Sequence, residues 1–338
     1  MLAAIGQRVL WAFVVLVVLS LLTFFMQQVI PGDPATLAAG PGASEDTIAK
    51  LRIELGLDQS LWHRYITYIS QALTGNFGTS VISHQAISTD LANKLPVSLA
   101  LVFVAMVINI CVGVGLGLLA ALRRGTWVDG SVRSIVLILG GIPTFWLALL
   151  LQLTVAAQWK LFPLNGQIDS AMFAGRSLTN ALLVDTFLQG LWPAFFSALQ
   201  HLALPAFALA MLYSPLIVRT VRANLISELD RDYLTLARSQ GLSEFRVALR
   251  AIRNALFPAI TLIGLQFGWM TGGTVLVEGI FGLPGIGAYA INAVLEKDLN
   301  AVVAVVLITG VVFVVANLIV DVIQDLLNPR LRAASVKI

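Results

Sequence analysis

Residues 232–260, DYLTLARSQGLSEFRVALRAIRNALFPAI, interrupt a 338-residue chain that is 58% hydrophobic and only 12% charged. Their pattern predicts two short helices joined by a bend. Asp230 or Asp232 can cap the first helix, and Gly241 suits the left-handed position that ends it. Ser243 can cap the second helix. The stretch therefore predicts a folded helical loop rather than an irregular linker.

The second predicted helix has two distinct faces. Four apolar residues share one face at helical spacing, namely Phe245, Leu249, Ile252 and Leu256. Three arginines share another, namely Arg246, Arg250 and Arg253. This pattern favours a rigid helical knob that docks into a groove of a cytoplasmic partner. The alternative is a solvated loop whose arginines only fix membrane orientation, with the apolar stripe against the ends of neighbouring helices.

The remainder of the chain has the composition of a membrane protein. Its mean hydropathy is +0.88, and its charged fraction is about half of the roughly 25% usual in soluble domains. Six charge-free windows are long enough for a membrane helix of about 20 residues. They lie between Arg8 and Asp33, Lys94 and Arg123, Arg133 and Lys160, Asp185 and Arg219, Arg253 and Glu278, and Asp298 and Asp321. We therefore predict an all-α integral membrane protein with six transmembrane helices. The fourth window is longer than one crossing and contains Pro193 and Pro205, so we expect its part FLQGLWPAFF at 187–196 to lie at the membrane interface and the fourth helix to span about 202–222.

The basic residues predict the orientation of these helices. With both termini in the cytoplasm, 14 of the 21 lysines and arginines lie on the inner side, as the positive-inside rule requires. The first helix, 1–30, is then an uncleaved span, and 31–94 is an external segment. Two short amphipathic helices forming a small cap are predicted there, or else a loop on the outer leaflet. Five helices occupy 95–327, with the cytoplasmic loop at about 223–257, and 328–338 is a cytoplasmic tail.

The sequence lacks the motifs of several functional classes. It contains no phosphate-binding loop G-x-x-x-x-G-K-[ST] and no H-E-x-x-H, and its three histidines are isolated. We therefore expect no catalytic residue, no metal site and no cofactor in this chain. The basic residues flank apolar windows, which makes nucleic-acid binding a poor explanation.

Polar residues inside the windows are candidates for a pathway or for helix packing. They are Asn109, Gln152, Gln266, Asn317 and, near one end, Asp321. Neutral residues of this kind more often form interhelical hydrogen bonds than contact a substrate. A proton-coupled carrier would need an ionisable group nearer the membrane centre. A stand-alone secondary carrier and a membrane scaffold remain the alternative classes to a subunit that is driven by a partner.

Residues 232–260 resemble the cytoplasmic signature loop of type I ABC importer permeases, in the form typical of the dipeptide, oligopeptide and nickel family. Five further pieces agree with that family in order and position. They are VIPGDPA at 29–35, GGIPTFWLAL at 140–149, HLALPAFALA at 201–210, VLVEGIFGLPGIG at 275–287 and NLIVDVIQDLLNPRLR at 317–332. The resemblance covers nearly the whole chain, and the early first span followed by PGDP resembles the B-type permease subunit.

The resemblance implies a fold, partners and a location. It implies the type I ABC importer permease fold in the cytoplasmic (inner) membrane of a prokaryote, surrounded by lipid. The implied partners are a second, homologous C-type permease, two cytoplasmic ATP-binding subunits that carry ATP and Mg²⁺, and an extracytoplasmic substrate-binding protein. The implied substrate is a dipeptide or oligopeptide; nickel chelates, glutathione or another small solute are the alternatives.

The resemblance also implies two groups of site residues. The ATPase-coupling loop comprises Tyr233, Thr235, Leu236, Ala237, Arg238, Gly241, Leu242, Ser243, Arg246 and Arg250. An external turn or gate comprises Glu278, Phe281, Pro284, Gly285 and Gly287. Within the loop, Ala237 and Gly241 mark the helix that enters the ATPase cleft, where small residues allow close contact and a sharp turn. This chain departs from the family pattern in two places. The acidic opening of the family loop reads Thr235, Leu236 and Ala237 here, and at the histidine that many relatives carry in the second helix this chain reads Arg250 followed directly by Ala251, one residue short.

Overall fold

A computed structural model describes residues 2–29, 34–39, 42–54, 56–169, 172, 175 and 177–327. Apart from an isolated bridge between Thr79 and Ala86, the regular structure of these residues is helical. The helices are α1 (Leu2–Val29), α2 (Pro34–Ala39), α3 (Glu45–Glu54), α4 (Leu61–Leu73), α5 (Ile87–Leu122), α6 (Trp127–Gly141), α7 (Thr144–Leu151, continued by a π-helix Gln152–Gln158), α8 (Leu182–Leu188), α9 (Trp192–Leu229), α10 (Asp232–Ser239), α11 (Glu244–Ala255), α12 (Phe257–Phe281), α13 (Ile286–Leu295) and α14 (Leu299–Leu327). The predicted all-α fold is confirmed.

Five helices are long and apolar enough to cross a membrane, namely α1, α5, α9, α12 and α14. The third predicted window is not one continuous helix. It is divided between α6 and the α7–π-helix unit, which meet at an angle of 103°. The break follows from Pro143, which cannot donate a backbone hydrogen bond and which holds the preceding Ile142 in an extended conformation (φ −86°, ψ 126°). The chain therefore has six spans if this bent pair counts as one.

The fourth span is longer than the predicted 202–222. Helix α9 runs over 38 residues and begins at Trp192. Pro193 lies in its first turn, where a missing N–H group costs nothing. Consequently the segment FLQGLWPAFF, predicted to lie partly at the interface, contains the end of α8 and the first turn of α9.

Helices α5 and α9 form the centre of the molecule and pack closely through two glycines of α5. A Cβ atom at Gly113 would lie 2.8 Å from Cβ of Ile217, and one at Gly117 would lie 2.8 Å from Cβ of Val221. Real Cβ atoms do not approach so closely, so only glycine permits this separation of the two helices. These two glycines of α5 therefore serve packing within this chain.

The external segment contains the two short helices expected from its periodicity, α3 and α4, preceded by the six-residue α2. Tyrosines of α4 bond to hydroxyl groups of α1. The predicted tail, 328–338, lies outside the described residues, as do parts of the segment that follows α1. The limits of the predicted domains remain predictions.

Candidate coupling loop and external turn

The bend between α10 and α11 is a Schellman turn. Gly241 has φ +79°, in the left-handed region that side chains disfavour. Its N–H group donates to the carbonyl of Arg238 (2.9 Å), and the N–H group of Leu242 donates to the carbonyl of Ala237 (3.2 Å). These two bonds satisfy carbonyls at the end of α10. The left-handed glycine predicted at this position is confirmed.

The predicted N-terminal cap of α10 is wrong. The residue at the cap position is Arg231, and no side chain caps this helix. Asp230 instead ends α9 and forms an ion pair with Arg124 (3.4 Å), which draws its carboxylate away from α10. Asp232 lies in the first turn of α10, where its charge favours the helix dipole without a capping bond.

The cap position of α11 is occupied by Ser243, as predicted, but its hydroxyl does not bond to the helix N-terminus. The hydroxyl accepts from Nε of Arg246 at 3.5 Å. A second contact closes the bend, because Nε of Arg238 in α10 lies 3.1 Å from Oε1 of Glu244 in α11. The two helices are therefore held together by the glycine turn and by an exposed ion pair.

The inner face of the loop packs on the adjacent ends of the membrane helices α5 and α9. It forms one buried cluster with α5 and α9, whose members are Ala121, Leu225, Leu234, Ala237, Val247, Ala251 and Ala255. Ala237 is only 3% exposed. Its small side chain therefore allows α10 to pack closely against its own chain. The close contact expected at Ala237 is made within this chain, and entry of α10 into an ATPase cleft remains a prediction.

The outer face of the loop carries the large apolar residues. Phe245 is 77% exposed, Leu249 57% and Leu236 61%. Because Val247, Ala251 and Ala255 are smaller and recur at intervals of four, they allow α11 to pack closely, and they direct Phe245 and Leu249 outward. The predicted apolar stripe is accordingly divided, since Ile252 and Leu256 are half-buried.

We name the exposed set the knob surface; it comprises Tyr233, Leu236, Phe245 and Leu249 with the exposed guanidinium groups of Arg246 and Arg250. Thr235 and Arg238 are also exposed, whereas Leu242 packs against the inner cluster. The surface combines apolar area with positive charge, which suits a partner groove with apolar walls and acidic residues at its edge.

Tyr233 fixes the orientation of the knob. Its hydroxyl donates to Oε2 of Glu228 in α9 (2.8 Å) and accepts from Nδ2 of Asn254 in α11 (3.0 Å). Partial burial and the hydrogen bond to Glu228 raise the pKa of Tyr233 above its usual value. One side chain thus joins three consecutive helices, and the neutral phenol persists at physiological pH.

The knob is connected rigidly to the membrane helices on both sides. Only Asp230 and Arg231 separate α9 from α10, and only Leu256 separates α11 from α12. Arg222 of α9 forms a bidentate pair with the buried Asp129 of α6, at 2.7 and 2.8 Å. This ion pair was not predicted from the sequence. Asp129 could have been noticed in the sequence, because it is an acidic residue directly after an arginine-rich turn. Its partner could not have been identified, because Arg222 is 93 residues distant.

The external turn is organised around Glu278, which is fully buried at the end of α12. Its Oε1 accepts from the hydroxyl of Ser98 in α5 (2.6 Å), and its Oε2 accepts from the N–H group of Ala288 in α13 (3.1 Å). The Ser98 hydroxyl also accepts from the N–H group of Ile286 (2.8 Å). Glu278 and Ser98 therefore satisfy the free N-terminus of α13.

The neighbouring predicted residues support this arrangement. A Cβ atom at Gly285 would collide with the Glu278 carboxylate and the Ser98 hydroxyl, and one at Gly287 would lie 2.5 Å from Cα of Val275. Phe281 is 1% exposed, whereas Pro284 is exposed. Four of the five residues predicted for the turn are thus buried structural elements around one carboxylate.

Two of the predicted polar residues meet in the membrane core. Nδ2 of Asn109 in α5 donates to Oε1 of Gln266 in α12 (2.8 Å), and Ser214 of α9 donates to Oδ1 of Asn109 (3.0 Å). Asn109 and Gln266 are fully buried. They connect three helices, which favours the packing interpretation over substrate contact in this conformation.

The other three lie apart. Gln152 donates to the carbonyl of Ile280 (2.7 Å) and joins the π-helix to the end of α12. Asn317 donates to Phe313 one turn earlier in its own helix (2.9 Å). Asp321 pairs with Arg8 of α1 at 3.8 Å. Among the described residues, no group of three or more histidine, cysteine, aspartate or glutamate side chains is arranged to hold a metal ion.

Comparison with known proteins gives matches over nearly the whole length. The profile described as "Binding-protein-dependent transport system inner membrane component" matches residues 113–333, and that described as "Binding-prot-dependent transport system membrane comp, N-term" matches 1–102. The dipeptide transport system permease protein DppB of Escherichia coli K12 is 35% identical over 93% of this chain and 94% of its own. The probable D,D-dipeptide transport system permease protein DdpB of the same strain is 34% identical over 95% of each chain. A putative peptide transport system permease protein of Brucella abortus (strain 2308) is 35% identical over 98% of this chain and 99% of its own.

Proposed function

This chain belongs to the family of binding-protein-dependent transport system inner membrane components, and we propose that it is the peptide permease subunit of an ATP-driven importer. It forms the pathway with a second, C-type permease, and both termini lie in the cytoplasm. Two ATPase subunits bind on the cytoplasmic side, and a binding protein delivers the peptide from outside. The dipeptide and peptide permeases that are similar over nearly their full length support this substrate class.

The observation that carries the coupling part of this proposal is the two-sided construction of the knob. Its inner face is fixed to α5 and α9 by a buried cluster, while Phe245 and Leu249 are left exposed on its outer face. Exposed large apolar side chains on a charged cytoplasmic surface are typical of an interaction site. The ATPase is the partner that this chain, which has no phosphate-binding loop, requires for transport driven by ATP.

In this mechanism, the ATPase pair displaces the knob, and the knob displaces the membrane helices that are attached to it. Closure of the ATPase pair displaces the outer face, and the cluster at Leu225 and Val247 passes that displacement to α9. The short junction at Leu256 passes it to α12. Rigid-body rotation of packed helices between inward-open and outward-open arrangements then moves the bound peptide.

The test is peptide uptake into proteoliposomes that contain the permease pair and the ATPases, with binding protein and labelled dipeptide outside and ATP inside. The double variant Phe245→Asp, Leu249→Asp places two carboxylates on the knob surface without altering its inner face. We expect normal membrane insertion and loss of ATP-driven uptake. Undiminished uptake by this variant would refute coupling through the knob, and uptake driven by an ion gradient alone would favour a secondary carrier.

A further inference from the structure

Helix α4 of the external segment is attached to the first membrane helix by paired hydroxyl groups. The hydroxyls of Tyr65 and Ser20 lie 2.9 Å apart, and so do those of Tyr68 and Thr23. The ring of Phe24 lies between the two tyrosines, with ring centroids 5.4 and 5.8 Å away. Ser20 and Thr23 are therefore buried beneath α4 and present no free hydroxyl to lipid.

These contacts lie below the end of the membrane span. The apolar part of α1 ends at Met26, so Thr23 and Ser20 are three and six residues inside it. At a rise of about 1.5 Å per residue, the hydroxyl pairs lie roughly 5 to 9 Å beneath that end. This is the depth at which amphipathic helices place their apolar face in a membrane interface, about 5 to 10 Å.

The apolar face of α4 is wider than its contact with α1. Beside the tyrosines, Trp62 is 69% exposed, Ile66 50% and Leu73 83%, and these residues share one helical stripe. The opposite face is polar and comprises His63, Thr67, Ser70 and Gln71. An apolar face and an opposite polar face are typical of a helix that lies between an apolar environment and water.

Lipid is the occupant that the surroundings of the stripe favour. Leu22 and Phe25 of α1, at the same depth as the hydroxyl pairs, are 61% and 51% exposed on a helix that crosses the membrane. The stripe of α4 therefore continues an apolar surface that already faces lipid. Tryptophan and tyrosine also concentrate at membrane interfaces, where an apolar ring and a polar atom are both accommodated.

We propose that α4 is an interfacial helix, with the stripe of Trp62, Ile66 and Leu73 in the lipid leaflet at the C-terminal end of α1 and with Thr67 facing water. Under the proposed topology this is the outer leaflet. The inference goes beyond the proposed function, because it concerns how the external segment is anchored and does not depend on the substrate or on the ATPase.

Site-directed spin labelling tests this placement. Cys111 is the single cysteine of the sequence, so Cys111→Ser provides the background for single-site labels at Ile66→Cys and Thr67→Cys, neighbouring positions on opposite faces. Leu22→Cys is the lipid-facing reference. The full-length protein, with the subunits that co-purify, is reconstituted in phosphatidylethanolamine and phosphatidylglycerol vesicles, and collisions of each label with oxygen and with a water-soluble nickel chelate are measured.

We expect the label at Ile66→Cys to collide with oxygen and to exclude nickel, as at Leu22→Cys, and the label at Thr67→Cys to collide freely with nickel. Equal nickel accessibility at both α4 positions would overturn the proposal in favour of an aqueous cap. Exclusion of both reagents at Ile66→Cys would overturn it in favour of a protein partner on the stripe. Neither outcome would affect the uptake result on which the proposed function depends.

Discussion

Phe245→Ala removes the largest exposed side chain of the knob surface and should weaken binding of the ATPase without unfolding the permease. Phe245 is 77% exposed, and substitutions at such positions usually change stability by less than about 0.5 kcal/mol. A phenylalanine buries roughly 200 Å² when it is fully covered. About 150 Å² of Phe245 is therefore available to a partner.

At about 25 cal/mol per Å² of apolar area removed from water, burial of that area contributes at most about 4 kcal/mol to the free energy of binding. Alanine retains Cβ, and the partner groove relaxes around the shortened residue, so about half of the limit is a realistic loss. About 2 kcal/mol corresponds to a roughly 30-fold increase in Kd. The expected size of the effect is that of an interface hot spot.

The assay is the Kd between the purified permease pair and the ATPase pair in nanodiscs, measured without nucleotide. Phe245→Leu is the conservative variant and should retain most of the affinity. Trp127→Ala is the matched control, because Trp127 is 81% exposed at the start of α6, outside the knob. An unchanged Kd for Phe245→Ala, or an equal loss for Trp127→Ala, would refute the assignment of the knob surface.

Three further substitutions probe the connections of the loop and of the external turn. Gly241→Val forces a β-branched residue to φ +79°, which costs roughly 1–2 kcal/mol; we expect inserted permease with reduced ATPase retention, measured by co-purification. Asp129→Asn removes the carboxylate from the bidentate pair with Arg222, which destabilises the contact between α6 and α9 by about 3 kcal/mol. We expect peptide uptake to fall while ATPase binding persists. An equal loss of uptake and of ATPase binding would contradict this expectation. Glu278→Gln replaces one carboxylate oxygen by an amide N–H₂ group, which cannot accept from one of the two donors, the Ser98 hydroxyl or the Ala288 N–H group. An unsatisfied buried donor costs about 1–3 kcal/mol of stability. We expect faster hydrogen exchange in α13 and unchanged exchange in the loop of α10 and α11.

Much of the architecture could be predicted from sequence because membrane helices require long apolar windows. Hydropathy did not reveal the break in the third window, because it takes no account of backbone geometry. The dipeptide Ile142–Pro143 did indicate a helix boundary there, because the residue before a proline disfavours the helical conformation. The start of α9 was missed for a related reason, because Pro193 was taken as a boundary although proline is well accommodated in a first turn.

The spacing of apolar residues in α11 does not predict which of its faces packs inward. Helix α11 carries two apolar sets, the large one with Phe245 and Leu249 and the small one with Val247, Ala251 and Ala255. Both fit helical spacing, and only the packing distance to α5 and α9 selects the small set for the inner face. The same selection buries Ala237, one of the two small residues that the family resemblance uses to mark the coupling helix.

Contacts between distant parts of the chain were beyond single-sequence reasoning. Ser98 and Glu278 are 180 residues apart, and Asn109 and Gln266 are 157 apart. Each residue was visible as a polar group in an apolar region, yet nothing local identifies its partner. The sequence pattern placed Glu278 in a turn at the end of α12, but its role in holding the N-terminus of α13 required the folded structure.

Photocrosslinking from the knob tests the central claim, that an ATPase subunit binds this loop, most directly. A benzoylphenylalanine at position 245 is compared with one at Leu164, an exposed apolar position (46%) in the loop after the π-helix, on the external side under the proposed topology. In an actively transporting complex, we expect a crosslink to the ATPase from position 245 and none from position 164. Active transport without any crosslink from position 245 to the ATPase would contradict it.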